Sequence, residues 1–148
     1  MSEADVTNFL DMEVGEVKDP MVLPNGTYLY VITKYAPMRA NNDKKTPFTR
    51  VTLKPVEVRD VDNWDDDANL DDYKRVTHDF WQTDNANKIV ARFLVQTLGL
   101  DNREGKAKFS ELWEQAIGRE VVGATEYKLG GRNKDRPFNE VTRFFSAE

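Results

Sequence analysis

Cysteine is absent from this 148-residue chain, and histidine occurs once, at His78. The first absence excludes disulfides and thiolate metal sites. With a single imidazole, zinc sites of the usual His and Cys type cannot be assembled, and any serine- or cysteine-based triad would rest on that one side chain. A cysteine-free composition agrees with a reducing, cytosolic setting. No run of about 18 apolar residues occurs, so no membrane-spanning helix is expected. Residues 1–19 are acidic and lack both a basic start and an apolar stretch, so no signal peptide is expected there. Positive charge is also in deficit: 21 Lys and Arg face 26 Asp and Glu, a net charge of −5.

That average conceals a pattern. Residues 1–26 carry a net −5, residues 27–58 carry +4, residues 59–84 carry −6, and residues 85–116 and 117–148 carry +1 each. A polyanion responds to local potential, so a basic groove matters more than the total. Hydrophobic residues at 39% and charged residues at 32% fit one globular domain with a well-charged surface.

Residues 1–24 hold few paired apolar positions and many acids, and read as an acidic, flexible arm. Pro24-Asn25-Gly26 is a turn signal that opens a domain over 25–148. Residues 27–35 are β-branched and aromatic and predict a strand. Residues 36–47, with Pro, Asn and Lys and no periodicity, predict a loop. Residues 48–58 predict a second strand, with Val51 and Leu53 on one face and Arg50, Thr52 and Lys54 on the other. Pro55 lacks an amide donor and marks an edge, a bulge or the strand's end. An acidic loop follows over 59–73. Residues 74–81 return as a strand, with Val76, His78 and Phe80 on one face and Arg75, Thr77, Asp79 and Trp81 on the other. Asp84 or Asn85 would cap a helix whose apolar stripe is Ile89, Val90, Phe93, Leu94 and Leu98, ended by Gly99. A short helix over 109–117 would bury Phe109, Leu112 and Trp113. Residues 120–129 and 138–145 predict two last strands around a basic turn at Gly130-Gly131. The reading is mainly β with a helical insert. Strand count and helix position match a five-stranded OB-fold-like Greek-key barrel with a helix between strands three and four.

Such barrels bind nucleic acid across strands two and three and the loops joining strands one to two and four to five. Basic residues gather in those two loops: Arg39, Lys44 and Lys45 in the first, and Lys128, Arg132, Lys134 and Arg136 in the second. Arg50, Lys54 and Arg75 lie between them. Cations along a groove displace counterions from phosphates, and aromatic faces stack on bases. The candidate stackers are Tyr35, Trp81, Tyr127 and Phe138. Stacking tolerates every base, so the expected partner is single-stranded DNA bound without strong sequence preference. Each of these residues also has a plainer reading: loop cations are commonly just solvated, and Trp81 and Phe138 could fill the core. His78, sharing a face with Val76 and Phe80, reads as an interior histidine rather than a catalyst.

The acidic loop lacks the glycine and terminal glutamate of an EF-hand, so no metal is expected there. Its carboxylates sit on a segment read as mobile, which is poor preorganisation for a metal-dependent nuclease. No enzymatic activity and no cofactor are expected. The acidic residues at 60–72 suit self-shielding of the basic groove or recruitment of partner proteins, and the alternative function is a protein-interaction module, a replisome adaptor or DNA mimic, that uses this surface. The sequence is compatible with self-association.

Four motifs in order add a resemblance. They are Leu23-Pro24-Asn25-Gly26-Thr27-Tyr28, the step Leu98-Gly99-Leu100, the run Gly118-Arg119-Glu120-Val121, and Asn139-Glu140-Val141 followed by Phe144. In this order and spacing the chain resembles a family of phage OB-fold single-stranded-DNA-binding proteins, over most of residues 23–145. The resemblance implies work in phage DNA replication or recombination, in the host cytoplasm, beside other replication or recombination proteins. The acidic insert at 60–72 departs from the family pattern.

Overall fold

The computed structural model describes residues 21–41, 43–130 and 133–147, and for residues 130 and 133–135 the backbone only. Its elements are β1 (Gly26–Arg39), β2 (Pro47–Asp60), β3 (Val76–Trp81), helix α1 (Asp84–Arg92), helix α2 (Phe109–Ala116), β4 (Glu120–Gly130) and β5 (Asn133–Ser146). The strands form one antiparallel sheet in the order β3-β2-β1-β4-β5. Both helices lie in the chain between β3 and β4, as the sequence predicts.

The sheet is open, which corrects the expectation of a closed barrel: among the described residues no ladder joins β3 to β5. The two edges meet through rings instead. Phe144 of β5 lies 5.0 Å from His78 and 5.9 Å from Phe80, both on β3. Phe93, in a π turn (Phe93–Thr97) that continues α1, packs on Phe80 at 4.7 Å and on Phe144 at 4.9 Å. A side chain from the helical insert thus plugs the seam that a backbone ladder would have zipped. Trp113 of α2 joins the same cluster, 5.4 Å from Phe80.

The sheet buries one face against the helices. Tyr28, Tyr30, Ile32, Val51, Leu53, Val76, Phe80, Val121 and Val141 are buried there with Val90, Leu94, Leu112 and Trp113. The phenol of Tyr30 shares a 2.6 Å hydrogen bond with Thr125 Oγ1, and burial pushes it up to about 12. Gly123 leaves room for this ring: a Cβ there would sit 3.0 Å from both Tyr30 Cε2 and Val141 Cγ1.

Several boundaries move. Leu23 is fully buried, and the Asn139 side chain grips it from both sides, accepting from its amide at 3.0 Å and donating to its carbonyl at 2.8 Å. The folded body therefore includes residues 21–24; residues 1–20 of the expected arm lie outside the described residues. β1 runs through Pro37 to Arg39 and β2 starts at Pro47, so the expected loop at 36–47 shrinks to 40–46. Both inner prolines occupy free edges, where a missing donor is tolerated: β4 pairs with β1 only as far as Val31, and β3 pairs with β2 only as far as Leu53. The acidic stretch is anchored rather than freely solvated. Trp64 packs edge-on to Tyr28 at 6.1 Å and against Tyr73 at 5.6 Å, and a 3-10 turn forms at Leu70–Asp72. Thr83, not Asp84 or Asn85, caps α1, accepting from the Ala86 amide at 3.3 Å. Ile89, at 61% exposure, drops out of the apolar stripe, and Phe109 is exposed too.

Two outcomes follow. Phe80→Ala removes the ring shared by β3, α1 and α2 and should cost about 3–5 kcal/mol, measured by urea denaturation. Burial lowers the pKa of His78 from 6.5, with Asp79 and Glu140 partly opposing. The neutral imidazole is thus favoured in the folded state. Its stabilisation is complete above the ordinary value and is lost as pH falls from there through the depressed folded value. His78→Phe should flatten that loss, so the gap between wild-type and variant urea midpoints should change on acidification.

Candidate nucleic-acid interface

Opposed residues in an antiparallel ladder point to the same face. The β2–β3 register sets Thr49, Val51 and Leu53 against Phe80, His78 and Val76, which is the helix-covered side. It also sets Phe48 against Trp81, Arg50 against Asp79 and Thr52 against Thr77. These form the outer face, with Lys54 next along β2. β1 extends the rows with Met38 beside Phe48, Ala36 beside Arg50 and Lys34 beside Thr52.

Along this face the side chains form a ladder of flat groups. The Phe48 and Trp81 rings lie 4.9 Å apart, tilted by 48°. Phe48 is buried, whereas Trp81 is 42% exposed. The Arg50 guanidinium carbon stands 5.5 Å from the Phe48 ring centre. Asp79 holds that guanidinium by a two-pronged ion pair, Nε to Oδ1 at 2.9 Å and Nη2 to Oδ2 at 3.1 Å, and the bond raises the Arg50 pKa. Lys54 Nζ lies 3.7 Å from Asp71 Oδ1. Arg75, just ahead of β3, is exposed and has no ion pair among the described residues.

The same face continues across β4 and β5. Val121, Gly123 and Thr125 are buried inward, so Glu126 and Lys128 alternate outward, opposite Glu140 and Phe138. Lys128 Nζ is bonded to Glu140 and lies 3.5 Å from Glu126. Phe138 and Tyr127 are exposed, Tyr127 with its amide donating to Asn25 Oδ1 at 2.6 Å. Tyr127 falls in the inward series but runs beyond the helix-covered body. Arg136 is exposed; Arg132 and the side chain of Lys134 lie outside the described residues.

Arg39 ends β1, its Nη1 donating to the Lys45 carbonyl at 3.3 Å, and Lys44 and Lys45 are exposed in the loop that follows. The two basic segments do not crowd together, and the second is strand rather than the expected loop: Lys128 lies in β4, and Lys134 and Arg136 lie in β5, which starts at Asn133 rather than near 138. Gly26 pairs with Thr125 and Arg39 with Pro47, so the 40–46 loop and the far ends of β4 and β5 extend past opposite ends of β1. A 14-residue strand spans about 40 Å when extended, less any bending, which makes the arrangement a track rather than a cluster.

Tyr35 leaves the candidate set. It is paired with Val51 on the inner face, stacks on Trp113 at 6.1 Å and 23°, and donates to Glu114 Oε1 at 2.6 Å. Phe48, Met38 and Lys34 enter it, as does Phe145, which lies 4.9 Å under the Arg143 guanidinium and is exposed. The signal for Phe48 was available: it shares the parity of Arg50, Thr52 and Lys54. Among the described residues, no group of three or more His, Asp or Glu is placed to hold a metal ion.

Because Tyr35 serves the helix, Tyr35→Phe should lose only the bond to an exposed carboxylate. A stability change below about 1 kcal/mol in urea is expected, against several for Trp113→Ala.

Compared with known proteins, no protein-family model matches this chain and no curated protein matches it.

Proposed function

We propose that this protein binds single-stranded DNA without strong sequence preference, along the outer face of β1, β2 and β3 and onto the β4–β5 hairpin. The observation that carries the reading is the Trp81–Phe48–Arg50 ladder on a sheet face that, among the described residues, no helix covers. Trp81, at 42% exposure, is the ring of the ladder left open to solvent, and bases are ligands that would cover it. Lys34, Lys54 and Arg75 border the ladder and suit a phosphate backbone. The strand order β3-β2-β1-β4-β5, with the helices between β3 and β4, supports an OB-type arrangement left open at the β3–β5 seam. With the phage-family resemblance, this points to replication or recombination of phage DNA in the host cytoplasm.

A second reading, a protein-interaction module acting through the acidic segment, draws on one observation. Trp64, Leu70 and Tyr73 pack against the core and present the intervening aspartates on an anchored scaffold. Deleting residues 65–68 should leave oligo-dT binding intact on the first reading and abolish partner capture on the second.

Fluorescence anisotropy with labelled oligo-dT, duplex DNA and RNA at two salt concentrations tests the first reading. Oligo-dT should bind more tightly than duplex and weaken as salt rises. Stacking is worth about 1–3 kcal/mol per base, so Trp81→Ala should weaken oligo-dT binding roughly 5- to 150-fold while Tyr35→Phe changes it less than twofold. Exchanging Arg132, Lys134 and Arg136 together for Glu should nearly abolish binding. Unchanged affinity in that variant removes the hairpin from the track, and unchanged affinity in Trp81→Ala removes the ladder.

A further inference from the structure

We propose that the carboxylates built into the outer face act as resident counterions that a nucleic-acid strand must displace, and so set the affinity and salt dependence of the face. The inference rests on the single-strand reading above. Asp79 occupies Arg50 with both oxygens, Asp71 stands by Lys54, and Glu140 and Glu126 flank Lys128. Asp79, Glu126 and Glu140 come from ladder positions directly across or beside their cations, not from loops. A strand residue cannot leave the sheet; its carboxylate can only rotate.

An incoming phosphate therefore meets an Arg50 whose Nε and Nη2 are taken. It must either share the remaining guanidinium hydrogens beside a like charge, or turn Asp79 aside. In both cases Asp79 opposes binding. A displaced carboxylate also gathers a cation from solution, which cancels part of the counterion release that drives association with nucleic acid. The log–log salt slope is then shallower than the number of phosphate contacts implies.

The opposing effect would be positioning, with Asp79 holding the guanidinium flat. Competition wins for two reasons. The pair is solvent-exposed, with side chains 42% and 31% accessible, so it contributes little order. Arg50 is also steered by the Phe48 ring, independently of Asp79. Asparagine at 79 keeps the shape and the acceptor oxygen while removing the charge, so Asp79→Asn separates the two effects.

The experiment measures oligo-dT affinity across a NaCl series for the full chain, Asp79→Asn, Glu140→Gln, the double variant, and Glu104→Gln. Glu104 lies in the helical insert, in a 3-10 turn at Arg103–Gly105, and controls for net charge. At low salt each face variant should bind about three- to tenfold more tightly, with a slope steeper by up to about one, and the double variant more tightly still. Glu104→Gln should change affinity less than twofold. If the wild type binds but the face variants are no tighter than Glu104→Gln, or are weaker, the resident-counterion inference fails and the single-strand reading stands. If the wild type binds no oligo-dT at any salt, the single-strand reading falls and takes this inference with it.

Discussion

The ring cluster of Phe80, Phe93, Trp113 and Phe144 is the constraint on which the architecture depends. It joins both edge strands to both helices, with centroid separations between 4.7 and 6.1 Å. Aromatic pairs at such distances gain energy beyond the area they bury. Because the cluster commits the helices to one side of the sheet, no described helix lies on the other side. An antiparallel sheet with one face covered has a second face available for function, and here that face carries Arg50, Lys54 and Trp81. His78 sits in the same seam, against Phe80 at 4.6 Å and Phe144 at 5.0 Å. The only imidazole of the chain thereby packs between the two edges of the open sheet.

Much of this was legible in the sequence, and the parts that were not share a physical cause. The alternation in β2 and β3 placed Arg50, Lys54 and Trp81 opposite Val51, Leu53 and Phe80, and the register agrees. That inference is strong where a strand is regular. Tyr35 reads from sequence as a stacker at the edge of the first loop; in the structure an extra residue, Thr33, interrupts the pairing between Ile32 and Lys34, reverses the phase of every later side chain on β1 and puts Tyr35 on the inner face. Nothing in the local residues announces such a bulge. Pro37 read as a strand breaker, yet it lies where β1 has no partner on its second edge among the described residues. Whether a strand edge is free is a property of topology, not of the ten residues around it. The anchoring of the acidic segment was hidden for a similar reason: Trp64 and Leu70 stand among seven aspartates whose solvation dominates any reading of composition.

The net charge of −5 and the proposed ligand are reconciled by asking which force the face can exert. Arg50, Lys54 and Lys128 each have a protein carboxylate within 4 Å, so their reach into solution is reduced. Charges separated by more than about 8–10 Å of salt solution hardly feel each other. The long-range pull on a polyanion would therefore fall to Lys34, Arg39, Lys44, Lys45, Arg75 and Arg136, none of which is ion-paired among the described residues. Stacking is unaffected by the carboxylates and amounts to about 1–3 kcal/mol per base. On a face whose cations are half neutralised, the rings must supply most of the binding. Bases are accessible to rings only when they are unpaired, so under the proposed function the electrostatic restraint of the surface would itself favour a single strand over a duplex.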